Sequence, residues 1–424
     1  LRKDGLENVP EHAHEHAHAH ALANALANVL AQALALATAA AVSLGLARFS
    51  YALLLPPMRS DLGWSYFTAG AMNTLNAGGY LVAALATPAL LRRFDARRVL
   101  LAGGAVTALL LALHAAVRAD AALYALRAAT GAASALSFVG GGLLAARLAG
   151  RAPAASGLVL GIYYGGVGLG IIASAALVPW VVGGDASPAT PAASTGVGLR
   201  GWPAAWLALS LAAAACTAFT ALGTRALAAA PAAAATTRAP FERRRFAFGL
   251  AGYAMFGLGY IGYMTFIVTL LREQGMSGPL VTAFYMLLGA GVIASSWLWA
   301  GLLQRHRGGG PLALLNALLA LATLMPVLST RPLVVFASGA LFGSVFLSVV
   351  ASTTALVRHN TPPAAWPAGI VAFTIIFAAG QIVGPTVVGW IADGPGGLAR
   401  GFVVSAGLLA LGSALAALQK PLRL

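Results

Sequence analysis

Acidic side chains are nearly absent from this chain. It has 11 Asp and Glu against 26 Lys and Arg in 424 residues, and charged residues make up only 9%. Soluble domains carry about 25% charged residues, so this composition cannot supply an ordinary water-facing surface. The acids are Asp4, Glu7, Glu11, Glu15, Asp61, Asp95, Asp120, Asp185, Glu242, Glu273 and Asp393, and each falls between the long apolar stretches or at their edges. No stretch therefore holds the mid-membrane carboxylate that proton carriers use, and no leaflet gathers the acid, base and nucleophile of a membrane enzyme. The single cysteine, Cys216, excludes an intrachain disulfide. Long polar segments are missing as well: the longest connections, near 181–201 and 225–245, span roughly 20 residues each and leave no room for an extramembrane catalytic domain. A Gly-x-x-x-x-Gly-Lys-Ser/Thr phosphate loop is also lacking, which leaves no signature of ATP use.

What the chain does have is apolar length. Hydrophobic residues make up 59% and the mean hydropathy is +0.83. Twelve stretches, near 31–56, 66–91, 99–117, 121–147, 155–180, 202–224, 246–271, 280–303, 311–329, 332–357, 366–392 and 398–418, each approach the ~20 residues a helix needs to cross a ~30 Å hydrocarbon core. The expected fold is all-α, a polytopic membrane protein of about 12 transmembrane helices. The first stretch has spanning length and no convincing small-residue cleavage site, so it reads as a retained helix.

The net charge of +15 is explained by topology, and nucleic acid is not expected as a partner. Basic residues collect on alternate connections: Arg2 and Lys3, Arg92 to Arg98, Arg147 and Arg151, five between 225 and 245, Arg305 and Arg307, Arg358, then Lys420 and Arg423. The other connections hold only Arg59, Arg118, Arg200, Arg272, Arg331 and Arg400. By the positive-inside rule both termini are expected in the cytoplasm.

The segment 225–245, biased to Ala and ending in Glu242-Arg243-Arg244-Arg245, divides the chain into 31–224 and 246–424, each with six spans. The halves echo each other at Leu90-Leu91-Arg92-Arg93 and Leu302-Leu303-Gln304-Arg305. A six-plus-six repeat is a transporter architecture with its site between the halves near the midplane. Residues 1–30 stand apart as an expected disordered leader, in which His12, His14, His16, His18 and His20 alternate with Ala and Glu and form a weak metal-binding candidate. Gly157, Gly161 and Gly165, offset by Gly166 and Gly170, predict a face on which a neighbouring backbone packs closely.

The run Gly45-Leu46-Ala47-Arg48-Phe49-Ser50-Tyr51-Ala52-Leu53-Leu54-Leu55-Pro56 resembles the first-helix signature of the YbfB/YjiJ-like branch of the major facilitator superfamily, Gly-Arg-Phe-x-Tyr-x-Pro-Leu-Leu-Pro. Arg48, Phe49, Tyr51, Leu54, Leu55 and Pro56 match it, while Ala47 and Leu53 replace a Gly and a Pro. Further resemblances follow in order: Arg127 to Gly131, Gly201-Trp202 with Ala205-Trp206-Leu207, Tyr253 with Gly259-Tyr260 and Thr265-Phe266, and Gly380-Gln381-Ile382-Val383-Gly384-Pro385. The loop after the second span departs from the superfamily's Gly-x-x-x-Asp-Arg-x-Gly-Arg: it reads Arg92-Arg93-Phe94-Asp95-Ala96-Arg97-Arg98, with Arg92 at the Asp position. These residues are the expected gating loop, Asp95 replacing the usual acid. Gly165-Gly166 stands where drug antiporters have Gly-Pro, so that motif gives no support to an antiporter.

An arginine inside a bilayer is a functional candidate by default. Arg48 lies mid-span with Tyr51 three residues on, and Arg127 lies about two turns inside the fourth span. Guanidinium without a buried carboxylate selects anions, because its paired donors match carboxylate or phosphate. Polar stripes add Asn73, Asn76 and Tyr80; Tyr253, Tyr260 and Tyr263; and Ser344, Ser348 and Ser352. The resemblance implies that helices one, four, seven and ten line the cavity, which favours Tyr260, Tyr263 and Ser348, with Gln381 beside its Gly-Pro break. His114 and Asp61 are the expected proton sites.

The sequence thus points to a secondary transporter, a permease or exporter, of a small anionic or amphiphilic organic solute. It is expected in a bacterial inner membrane, as a monomer, without cofactor, its partners being the lipid bilayer, the solute and protons or a counter-ion. Exchange or substrate-borne protons is the expected coupling, since His114 is peripheral. The alternatives are a divalent-metal exporter using the His-rich leader and a non-transporting sensor on a transporter scaffold.

Overall fold

In the computed structural model, which describes residues 9–183, 200–227 and 240–422, the chain is a bundle of long helices. They are α1 (Val9–Ala40, continuing through a π-helical stretch Ala41–Phe49 into Tyr51–Leu62), α2 (Tyr66–Leu90), α3 (Ala96–His114), α4 (Asp120–Arg151), α5 (Ser156–Val182) and α6 (Trp202–Gly223). After them come α7 (Ala247–Glu273), α8 (Gly278–Leu298, with a short extension Ala300–Arg305), α9 (Gly310–Leu328), α10 (Pro332–Asn360), α11 (Trp366–Ala392) and α12 (Gly397–Ala417). Among the described residues, 11 helical segments are long and apolar enough to cross a membrane. The remaining long helix, α2, is held below that level by Asn73, Asn76 and its glycines, although its 25 residues would span.

The first helix departs from expectation at both ends. The expected span 31–56 lies within a helix that begins at Val9 and, through the π-helical stretch, ends at Leu62, so residues 9–30 are helical rather than an unstructured leader. Ala, Leu and Glu in this segment are strong helix formers, and Pro10 falls in the first turn where its missing N–H costs nothing. The side chains of His12, His14, His16, His18 and His20 lie outside the described residues.

Helices α1–α6 pack mainly among themselves, as do α7–α12, and α2 against α11 and α5 against α8 join the two groups. Both joints depend on glycine. A Cβ at Gly70 would lie 2.2 Å from the Pro385 carbonyl oxygen, and one at Gly168 would lie 2.4 Å from that of Gly289, so side chains there would hold the backbones apart. Of the glycines expected to form a close-packed face of α5, Gly166 and Gly170 meet a neighbouring backbone closely and the other three do not. Gly166 and Gly170 accept the α1 backbone at Ala37 and Ala41, Gly161 lies under Trp297 of α8, and Gly157 touches nothing. Large apolar side chains such as Val82, Leu211, Leu328 and Trp390 are exposed around the outside, as a lipid-facing surface requires.

Candidate functional site

A cavity of about 730 Å³ lies between the two groups of helices. Its deep end holds Arg48, and it runs toward the arginine-rich end of the bundle, where Gln304 and Arg358 line it. Arg48 is 5% exposed, yet no carboxylate pairs with it; the ion pairs among the described residues are Arg59–Glu273, Arg118–Asp61 and Arg245–Glu242. One Nη of Arg48 donates to Oε1 of Gln381 across the two groups of helices, and its Nε is buried without an acceptor. A buried donor left unmatched costs about 1–3 kcal/mol, more when charged. The deep end is therefore a cation waiting for an anion.

The local winding of α1 explains why Arg48 faces the cavity. From Ala41 to Phe49 the chain is π-helical, closing with Ser50 N–H donating to the Gly45 carbonyl at 3.0 Å. Such i→i+5 bonds widen each turn and are frequent at functional sites. The consequence is that Arg48 and Tyr51 do not share a face. Tyr51 turns away from the cavity, donates to the Ala69 carbonyl at 2.9 Å and places its ring 4.8 Å from the Arg127 guanidinium.

Arg127 is fully enclosed and does not line the cavity. It donates to the Ala47 carbonyl at 3.0 Å and to Asn73 Oδ1 at 3.4 Å, while Asn73 donates to Thr265 of α7 at 2.7 Å. On the other flank Tyr285 of α8 donates to the Phe49 carbonyl at 2.7 Å. The carbonyls on both sides of Arg48 are thus held by side chains from α4 and α8.

Of the remaining candidates, Tyr260, Ser348 and Gln381 line the cavity and Tyr263 does not. Tyr263 is bonded to Ser338 at 2.7 Å and stacked on Phe342 at 3.9 Å, inside the second group of helices. His114 is wholly buried, its Nδ1 2.7 Å from the Leu110 carbonyl and its ring 4.5 Å from that of Trp206, away from the cavity. Asp61 accepts from Arg118 and from the Trp202 indole, each at 2.8 Å, at the arginine-poor end. In the gating loop Arg92, Arg93 and Arg98 are exposed and Arg97 caps the end of α6 through the Ala221 carbonyl at 2.7 Å. Asp95 begins α3 and makes no ion pair among the described residues, so the gating contact expected of it is not formed with this end of the cavity open.

The arginine-poor end is closed by contacts that the sequence did not announce. Glu273 of α7 accepts from the Tyr66 hydroxyl and lies 3.7 Å from Arg59, whose guanidinium sits 3.8 Å from the Tyr66 ring centre. Asp393 of α11 accepts from the backbone N–H groups of Tyr66 and Phe67 at 2.7 and 2.9 Å, and Ser65 accepts from the N–H of Thr68. An acid from one half thereby caps a helix of the other. Also unforeseen are the phenylalanines of the cavity wall, where Phe256, Phe346 and Phe377 stack with the expected Tyr253 and Tyr260. The i, i+3, i+7 spacing of Tyr253, Phe256 and Tyr260 is the signal that marks it.

Comparison with known proteins agrees with this geometry. The profile of the family described as "Uncharacterised MFS-type transporter YbfB" matches residues 40–417. No curated protein matches the chain in sequence. Among solved structures, the nucleoside transporter NupG is similar with a TM-score of 0.65 and 16% identity, covering 92% of this chain and 98% of its own. A bacterial homologue of the human lysosomal transporter Spinster, solved inward-facing and unoccupied, is similar with a TM-score of 0.67 and 14% identity, over 92% of this chain and 96% of that one.

Proposed function

The chain belongs to this family of MFS-type transporters, and on that premise we propose that it moves a small anionic or amphiphilic organic solute by alternating access, as a secondary permease or exporter. The observation that carries the reading is Arg48, a buried guanidinium with no counter-charge among the described residues, at the deep end of a cavity between the two halves. A carboxylate or similar anion supplies the missing acceptor. With the arginine-rich end in the cytoplasm, the cavity is open inward and the Glu273 and Asp393 contacts close the outside. In this reading the membrane is a bacterial inner membrane and both termini are cytoplasmic. His114 lies away from the cavity, which favours exchange or substrate-borne protons over a histidine relay.

Counterflow in liposomes tests it. Protein reconstituted into vesicles is offered labelled carboxylates, amino acids, sugars and lipophilic cations. Exchange of an organic anion that Arg48→Gln and Arg48→Lys abolish is the expected result, since Lys keeps the charge but loses the fork. Transport of a neutral or cationic solute that survives both changes would sink the anion reading.

A further inference from the structure

We propose that the solute is an aromatic monocarboxylate, its carboxylate on Arg48 and Gln381 and its ring against the wall formed by Phe377, Tyr260 and Phe346. This rests on the reading of the cavity as an anion site and adds the shape and charge of the anion.

The rings of the wall lie nearly parallel. Phe377 lies 5.3 Å from Phe256 with the ring planes 7° apart and 5.6 Å from Tyr260 at 23°, and Tyr260 lies 6.1 Å from Phe346 at 12°. Parallel rings at these separations are the offset-stacked arrangement that aromatic faces favour. Every one of these rings lines the cavity. A flat π-system extends such a stack, whereas a puckered ring touches it at fewer points. The first group of helices lines the same cavity with the small residues Ala77, Ala84, Gly142 and Ala146 and with the rings of Tyr80, Phe138 and Tyr164.

The anchor is placed to match. Gln381 follows Phe377 by four residues on α11, one helical turn of about 6 Å deeper. With its carbonyl oxygen on Arg48, Gln381 keeps its amide N–H groups without a partner among the described residues, so Arg48 and Gln381 together offer donors to both oxygens of one carboxylate. A ring stacked on Phe377 therefore carries its carboxylate into reach of both side chains.

The charge is limited to one. Among the described residues, Arg48 is the only cationic side chain that lines the deep end. Arg358 also lines the cavity, but it follows Ser348 by ten residues on α10, about 15 Å nearer the mouth, and its guanidinium sits 4.7 Å from the Trp366 ring centre. A second carboxylate on the far side of the ring would lie against the aromatic wall with no cation to meet it, which burial penalises.

Equilibrium dialysis of the purified protein against labelled 2-naphthoate tests the assignment, with cyclohexanecarboxylate, 2-naphthylmethanol and naphthalene-2,6-dicarboxylate as competitors. The expected result is saturable binding of 2-naphthoate, with each competitor weaker by about tenfold or more. Phe377→Leu is expected to weaken 2-naphthoate about threefold to tenfold and leave cyclohexanecarboxylate unchanged. Arg48→Gln should abolish binding of both acids; if that variant does not fold, the neutral alcohol makes the same comparison on the native chain. Equal binding of cyclohexanecarboxylate and 2-naphthoate overturns the aromatic assignment while the anion reading stands. Equal binding of 2-naphthylmethanol overturns both. Tight binding of the dicarboxylate overturns the single charge, and no binding of 2-naphthoate overturns the assignment outright, with vesicle counterflow still deciding the anion reading.

Discussion

Arg127 donates a hydrogen bond to the carbonyl of Ala47, the residue that immediately precedes Arg48. The two buried arginines therefore have different tasks. Arg48 faces the cavity, and Arg127 holds the π-helical backbone that turns Arg48 toward it.

Replacing Arg127 by Ala is accordingly expected to lower both stability and transport. It leaves the Ala47 carbonyl and Asn73 Oδ1 without their donor, and bonds of this kind inside membranes are worth about 0.6–2 kcal/mol each. A fall in the detergent unfolding midpoint together with loss of flux checks this. Arg127→Ala with native stability and full flux would refute the positioning role.

Asp393→Ala and Glu273→Ala should weaken the closed arginine-poor end, the first by removing the cap on α2 and the second by removing the acceptor of the Tyr66 hydroxyl. Loss of a helix cap costs about 0.5–2 kcal/mol, which raises the outward-open fraction by a factor of roughly 2–30. In a chain with Cys216→Ala, a cysteine at the buried Met72 reports this opening through its labelling rate by an impermeant thiol reagent added from outside. An unchanged rate in both variants would assign the closure to the glycine contacts alone.

Sidedness can be read the same way. A cysteine at Asp95 should react with impermeant reagent only from the cytoplasm, and one at Thr330 only from outside. Reaction of Thr330→Cys from the cytoplasmic side would reverse the orientation.

Within one helix, Gly170→Ala and Gly157→Ala should behave oppositely. The Cβ at 170 would lie 2.4 Å from the Ala41 carbonyl oxygen and 2.8 Å from the Gly45 Cα, whereas at 157 nothing lies within 4 Å. Overpacking of this kind costs about 1–3 kcal/mol. The yield of monodisperse protein and its unfolding temperature should fall for the first and hold for the second.

His114→Ala should keep transport and leave its pH dependence unchanged, while losing about 1–3 kcal/mol of stability from the space opened beside Trp206. Flux in vesicles across a pH series separates the two effects. A variant that keeps counterflow and loses pH-driven accumulation would restore His114 as the proton site.

The sequence reveals the helices and their grouping because bilayer thickness sets the length of an apolar run and glycine spacing sets close contact. It also singles out Arg48 as a buried charge, because a charge in an apolar stretch stands out. It does not reveal Tyr51, Arg127 and Tyr263 correctly, for a physical reason in each case. A π-helical stretch changes the angle between residues three apart, and no local pattern marks that change in advance. Arg127 and Tyr263 satisfy partners contributed by distant helices, Ala47 and Asn73 for one and Ser338 for the other. Asp393 and Glu273 look like loop acids in the sequence, and their partners lie on the opposite half of the molecule.

The link between Arg48 and Gln381 has an electrical consequence. Gln381 satisfies a donor of Arg48 but brings no charge, so the empty site carries one positive charge where access changes sides, and a bound monoanion cancels it. Moving a unit charge through the full membrane potential is worth about 2.3 kcal/mol per 100 mV, and switching access around a fixed charge moves it through part of that drop. With the solute bound the Arg48 charge is compensated as access switches, and in the empty carrier it is not. Membrane voltage therefore acts on the unloaded return step, and net movement of a monoanion generates current while one-for-one exchange is electrically silent.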